Sequence, residues 1–128
     1  MRKAILMMLL AVASSSAAAE WVEIGSNETA TVYADPATMR RAGNTVKLWE
    51  LYVAKTAQLI ANKAYMSAKL LREYDCKGER SRTLYASFHP EDMGRGEMIY
   101  GTSDPTRWEP VTTPEIANAI QWKLACGK

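Results

Sequence analysis

Histidine is nearly absent from this chain: His89 is the only one, and cysteine is confined to Cys76 and Cys126. Each scarcity removes a class of chemistry. A transition-metal centre needs several imidazole, thiolate or carboxylate ligands brought together, and one histidine with two distant thiols is a poor set. A serine nucleophile needs a base, and only His89 carries an imidazole. Ser81, Ser87 and Ser103 have no nucleophile-elbow glycines around them. Gly94-Arg95-Gly96 lacks the further glycine and the Lys-Ser/Thr ending of a phosphate loop. His89-Pro90-Glu91-Asp92 imitates an acid–base cluster but lies where a strand enters a loop, so His89 reads as structural. The sequence predicts no catalytic residue, no cofactor and no metal.

Long apolar runs are scarce too. The single one, Ala4 to Ala13, follows the basic head Met1-Arg2-Lys3 and precedes a small-residue stretch ending Ala17-Ala18-Ala19. It is shorter than the roughly 20 apolar residues that span a bilayer. Basic head, short apolar run and small-residue end are the parts of a secretory signal peptide. Residues 1–19 are expected to be removed by cleavage between Ala19 and Glu20, leaving one domain over 20–128. No cysteine stands near the cleavage site, so no lipid anchor is indicated, and no later apolar segment predicts a membrane anchor. Removing Arg2 and Lys3 takes the basic count from 16 to 14 against 14 acidic residues, so the net charge falls from +2 to zero. A neutral domain gives no electrostatic case for nucleic acid.

In an exported protein, two cysteines read first as one disulfide, here Cys76 to Cys126. Free thiols and metal ligation are the competing readings. Turn compositions divide the rest. Glu20–Ile24 and Thr29–Ala34 read as strands, the second ended by Asp35-Pro36. Val46–Val53 has apolar residues on both faces, as a central strand does. Thr56–Tyr74 is divided between helix propensity and a period of two from Met66 onward. Lys77-Gly78-Glu79 reads as a turn, Arg80–His89 as an alternating strand and Glu97–Gly101 as a short one. Thr113-Pro114-Glu115 signals a helix start, with Ile116, Ile120 and Leu124 as an apolar stripe and Gly127 beyond its end.

Two surfaces are candidates for binding. Lys69, Arg72, Lys77, Arg80 and Arg82 form a basic cluster, interleaved with Glu73, Asp75 and Glu79, which reads either as a solvated hairpin or as a partner-binding strip. Tyr33, Tyr52, Tyr85 and Tyr100 offer a tyrosine-rich sheet face.

Trp21-Val22-Glu23-Ile24-Gly25, Val32-Tyr33-Ala34-Asp35-Pro36, Val46-Lys47-Leu48-Trp49, the run Lys69 to Cys76, and Trp108 ahead of a helix ending in Cys126 resemble, in order and spacing, the surface-adhesin protein E family of Gram-negative bacteria. The resemblance implies an α+β fold: a multi-stranded antiparallel sheet with one C-terminal helix packed on it and one disulfide. It tips Met66–Asp75 toward strand. It also implies a non-catalytic interaction domain whose partner is a cell-envelope protein or a host extracellular protein. The alternative is a periplasmic structural or inhibitor-like envelope protein without an adhesive role. Export is expected in either case, to the periplasm first and to the outer surface second.

Overall fold

The computed structural model describes residues 19–111 and 118–127. Its strands are β1 (Val22–Ser26), β2 (Ala30–Ala42), β3 (Thr45–Ile60), β4 (Lys63–Asp75), β5 (Arg80–His89), β6 (Tyr100–Thr102) and β7 (Glu109–Pro110), followed by helix α1 (Asn118–Cys126). They form one 7-stranded sheet in the order β1-β2-β3-β4-β5-β6, with β7 also paired to β5. Every pairing is antiparallel. No helix among the described residues is long and apolar enough to cross a membrane.

The turns explain the meander. Gly43 has φ of 64° between β2 and β3, where a side chain would be strained. Ala61 and Asn62 have φ of 51° and 64° between β3 and β4. Two successive positive φ values match the right-handed twist of the flanking strands. The helix-prone residues 56–63 are therefore strand and turn, because pairing with β4 through Gln58↔Tyr65 and Ile60↔Lys63 satisfies their backbone. At the next turn the Asp75 carboxylate accepts from the Lys77 and Gly78 N–H groups at 3.1 and 2.9 Å.

Asp35-Pro36 does not end β2. The strand continues to Ala42 through an irregularity between Asp35 and Arg40. Proline has no ladder N–H, so an irregularity is where a strand tolerates it. Thr38 fills the gap: its hydroxyl donates to the Asp35 carbonyl at 2.6 Å and accepts from Trp49 N–H at 3.1 Å. The strand expected over Glu97–Gly101 is displaced to Tyr100–Thr102, and ahead of it Ile99 N–H bonds the Phe88 carbonyl at 2.9 Å.

Helix α1 lies on the sheet face that carries Ala34, Val46, Leu48 and Tyr74, and it buries Trp122, Ala125 and Cys126 among them. The expected stripe is on the wrong side. Ile120 is 54% exposed and Leu124 36%, while Asn118 and Gln121 are buried. The reason is what lies beneath: the sheet there carries Glu50 and Arg72, which call for polar partners. Ile116 and the start signal Thr113-Pro114-Glu115 lie outside the described residues. The Cys76–Cys126 disulfide, with Cα atoms 5.5 Å apart, joins the end of α1 to the residue after β4. Trp122 Nε1 donates to the Asp75 carbonyl at 3.0 Å beside it.

The opposite face is closed by the loop after β5. Ser67 Oγ donates to the Glu91 carbonyl and accepts from Gly94 N–H at 2.8 Å. His89 bonds Ser87 Oγ through Nε2 at 2.9 Å and the Gly96 carbonyl through Nδ1 at 3.1 Å. Leu51 is fully buried on this face, which is why β3 is apolar on both sides.

Candidate functional site

Helix α1 covers only part of its sheet face. Beyond it the register places Ala54, Ala68 and Phe88 toward the same side as Glu50 and Leu70. The long β3–β4 hairpin extends past the end of the β2 pairing at Ala54 and of the β5 pairing at Ser67. Its residues Gln58, Ile60 and Tyr65 form walls of two adjoining hollows, of about 320 and 370 Å³. Leu70 and Phe88 belong to both hollows. Phe88 stands edge-on to Tyr65 at 4.8 Å and tilted to Tyr100 at 6.0 Å. The result is an open trough of aromatic and aliphatic side chains edged by Thr29, Gln58, Thr102 and Asp104, of the size and character that bind ligands or partner side chains.

The trough ends at a buried polar network under α1. Glu50 accepts from the Tyr74 hydroxyl and from Gln121 Nε2, and its carboxylate lies 3.8 Å from Arg72 Nε. Gln121 also reaches the Tyr52 hydroxyl at 3.4 Å, and Tyr52 lines the trough. Burial pushes the Glu50 pKa from 4.5 to about 7, against the opposing pull of Arg72 and the Tyr74 hydrogen bond. Burial, Glu50 and Tyr52 also hold the Tyr74 hydroxyl well above its ordinary 10, despite Arg72.

The five cations of the basic cluster do not share one surface. Arg72 is buried on the helix side, donating to Thr83 Oγ1 at 2.6 Å and Ser81 Oγ at 2.9 Å. Arg80 and Arg82 pair with their cross-strand partners Asp75 and Glu73, each at 2.8 Å, and lie 4.7 and 4.4 Å from the Trp108 ring. Lys69 is half-buried, its side chain passing close to Gly94, and Lys77 is exposed at the turn. The four tyrosines also divide. Tyr52 and Tyr100 line the trough, while Tyr33 pairs with Leu51, a residue of the face closed by the loop after β5. Tyr85 also borders the 370 Å³ hollow, while its ring packs edge-on against Trp49 at 5.7 Å. Among the described residues no three His, Cys, Asp or Glu side chains are arranged to hold a metal.

Residues 21–127 match the family described as surface-adhesin protein E. The chain belongs to that family. No curated protein matches it. Membership supports a surface-adhesin-like binding role as the coarse reading of this chain. Tyr65, Leu70 and Phe88 were not singled out from the sequence, because their convergence depends on the register across β3, β4 and β5. Glu50 was legible in principle: it interrupts the apolar run Val46–Val53, and a carboxylate in a central strand must find partners.

Proposed function

We propose that this protein is an exported, non-catalytic interaction domain that docks a protein partner, in the cell envelope or on a host extracellular surface, in the aromatic trough. The observation that carries this reading is the trough itself. Tyr52, Tyr65, Leu70, Phe88 and Tyr100 line apolar space on a sheet face that α1 leaves open, and such patches on exported domains are recognition surfaces more often than decoration. Processing between Ala19 and Glu20 belongs to the proposal, and the family match beginning at residue 21 supports it. The mature domain is then residues 20–128.

The test uses the protein expressed with its full leader. Intact mass is expected to give a chain starting at Glu20 with no acyl group. Protease added to intact cells is expected to digest the domain, and purified domain to bind immobilised extracellular-matrix protein. Thr29→Arg and Tyr100→Ser, on opposite trough walls, are expected to abolish that binding while leaving the fold intact. Digestion only after the outer membrane is opened, with no matrix binding, would replace the adhesive reading by the periplasmic one.

A further inference from the structure

A third hollow, of about 230 Å³, lies between β5 and the chain segment leading to β7. Arg72, Arg82 and Arg107 line it, together with the hydroxyls of Ser81, Thr83 and Thr106. Among the described residues that line it there is no apolar side chain, and Glu109 is the one carboxylate. We propose that this hollow binds a tetrahedral oxyanion, the sulfate or phosphate ester group of a larger molecule. The hollow borders the trough, since Thr83 and Thr106 also line the 370 Å³ hollow, but its arginines do not, and the inference does not rest on the protein partner proposed there.

The donors are already oriented. Thr83 Oγ1 accepts from Arg72, and Thr106 Oγ1 accepts from the Thr83 N–H at 2.9 Å. Each hydroxyl has thus received its bond, and among the described residues neither has an acceptor for its own proton. A threonine hydroxyl accepts up to twice and donates once, so each of these still has its proton to give to an anion. Arg107 is exposed and makes no hydrogen bond, ion pair or ring contact among the described residues, so its guanidinium is available to an anion in the hollow. Arg82 spends Nε on Glu73, and its guanidinium is held 4.4 Å from the Trp108 ring.

The positions explain why a tetrahedral group fits better than a planar carboxylate. Thr83 and Arg82 come from β5, Arg72 from β4 behind it, and Thr106 and Arg107 from the facing segment. A second bond, Thr106 N–H to the Thr83 carbonyl at 2.9 Å, fixes that segment in place. Donors from both walls match an anion with three or four acceptor oxygens. Guanidinium is the cation suited to this, with several N–H groups in a rigid plane. The charge behind Arg72 is incompletely cancelled, because burial leaves Glu50 partly protonated near neutral pH. At about 230 Å³ the space is below the usual range of about 300–1,000 Å³ for whole-ligand pockets. It has room for an anionic group, not for the molecule that carries it.

The experiment is an amide NMR titration of the mature, disulfide-bonded protein with sodium sulfate and with sodium phosphate, against sodium chloride at equal ionic strength. Saturable shifts at Thr83, Thr106 and Arg107 are expected with both oxyanions and not with chloride. Arg107→Gln, which removes no contact among the described residues, is expected to weaken binding about tenfold, the scale of one charge-assisted hydrogen bond. Arg107→Glu is expected to abolish it, and Glu109→Gln to tighten it. Shifts that chloride reproduces, or that survive Arg107→Glu unchanged, would overturn the site. Sucrose octasulfate and phosphatidylglycerol vesicles then identify the carrier: tighter binding than the free ion by one of them assigns a saccharide sulfate or a lipid phosphate. Thr29→Arg, which blocks the trough, is expected to leave sulfate binding unchanged, so failure of the trough and failure of this site give different results.

Discussion

Glu50→Gln tests the polar layer on which α1 is laid. Glu50 is fully buried, and burial raises its pKa from 4.5 to about 7, with Arg72 and Tyr74 opposing that rise. The native carboxyl therefore keeps its proton through a range in which the unfolded chain has lost it. Native protein binds more protons than unfolded protein there, so stability falls as pH rises. The contribution is complete below about 4.5 and gone above about 7, and raising an ionisation over that interval corresponds to about 3 kcal/mol. The nearest other perturbed carboxyl does not confuse this window. Asp75 is held below its usual value by the Gly78 N–H and then by Arg80, so its effect is confined to more acid solution.

Glutamine keeps an acceptor for the Tyr74 hydroxyl, and its amide donor faces Gln121 Nε2, so the Gln121 amide turns to present Oε1, which has no hydrogen-bond partner among the described residues. The new side chain cannot ionise. The variant leaves Arg72 without its carboxylate at every pH, a constant offset, so the informative quantity is the difference between the two pH profiles. Urea unfolding between pH 4.5 and 8 is expected to show wild type losing about 3 kcal/mol relative to the variant, which is a relative midpoint change of about 1–3 M. Parallel profiles would refute the reasoning. They would mean that Glu50 is ionised throughout, with Arg72 outweighing burial.

Other outcomes follow from the same contacts. Cys76→Ser or Cys126→Ser opens a loop with a sequence separation of 50, worth about 4 kcal/mol by chain entropy. Hydrogen exchange is expected to show α1 losing protection first, since nine residues make a marginal helix alone, and equal loss across the sheet would show that the bond holds the whole domain. His89→Ala removes the bonds to Ser87 Oγ and the Gly96 carbonyl, and is expected to cost about 1–3 kcal/mol. Thermal unfolding measures that cost, and an unchanged melting temperature would show that His89 does not secure the loop.

What could be read from the sequence divides along a physical line. Strands β1 and β5 follow from alternation, β3 from a run apolar on both faces, and their turns from Gly43 and Gly78, because those signals are local. The pairing of Cys76 with Cys126 follows from there being no other cysteine to choose. Residues 56–63 misled because helix propensity is small beside the pairing of a whole strand. The helix face misled for a different reason. Hydrophobic periodicity assumes an apolar surface opposite, and Ile120 and Leu124 are the apolar members of α1 that a polar patch turns outward. Arg72 breaks the alternation of β4, Glu50 breaks the apolar run of β3, and Gln121 lies off the apolar stripe of α1, among the buried Trp122, Ala125 and Cys126. Taken singly, each is noise in its own element. Register brings the first two together, since Arg72 opposes Leu48 and Glu50 opposes Leu70 on neighbouring strands. Only then does Gln121 become the residue that fits, and the fold of the helix is seen to answer the charge in the sheet.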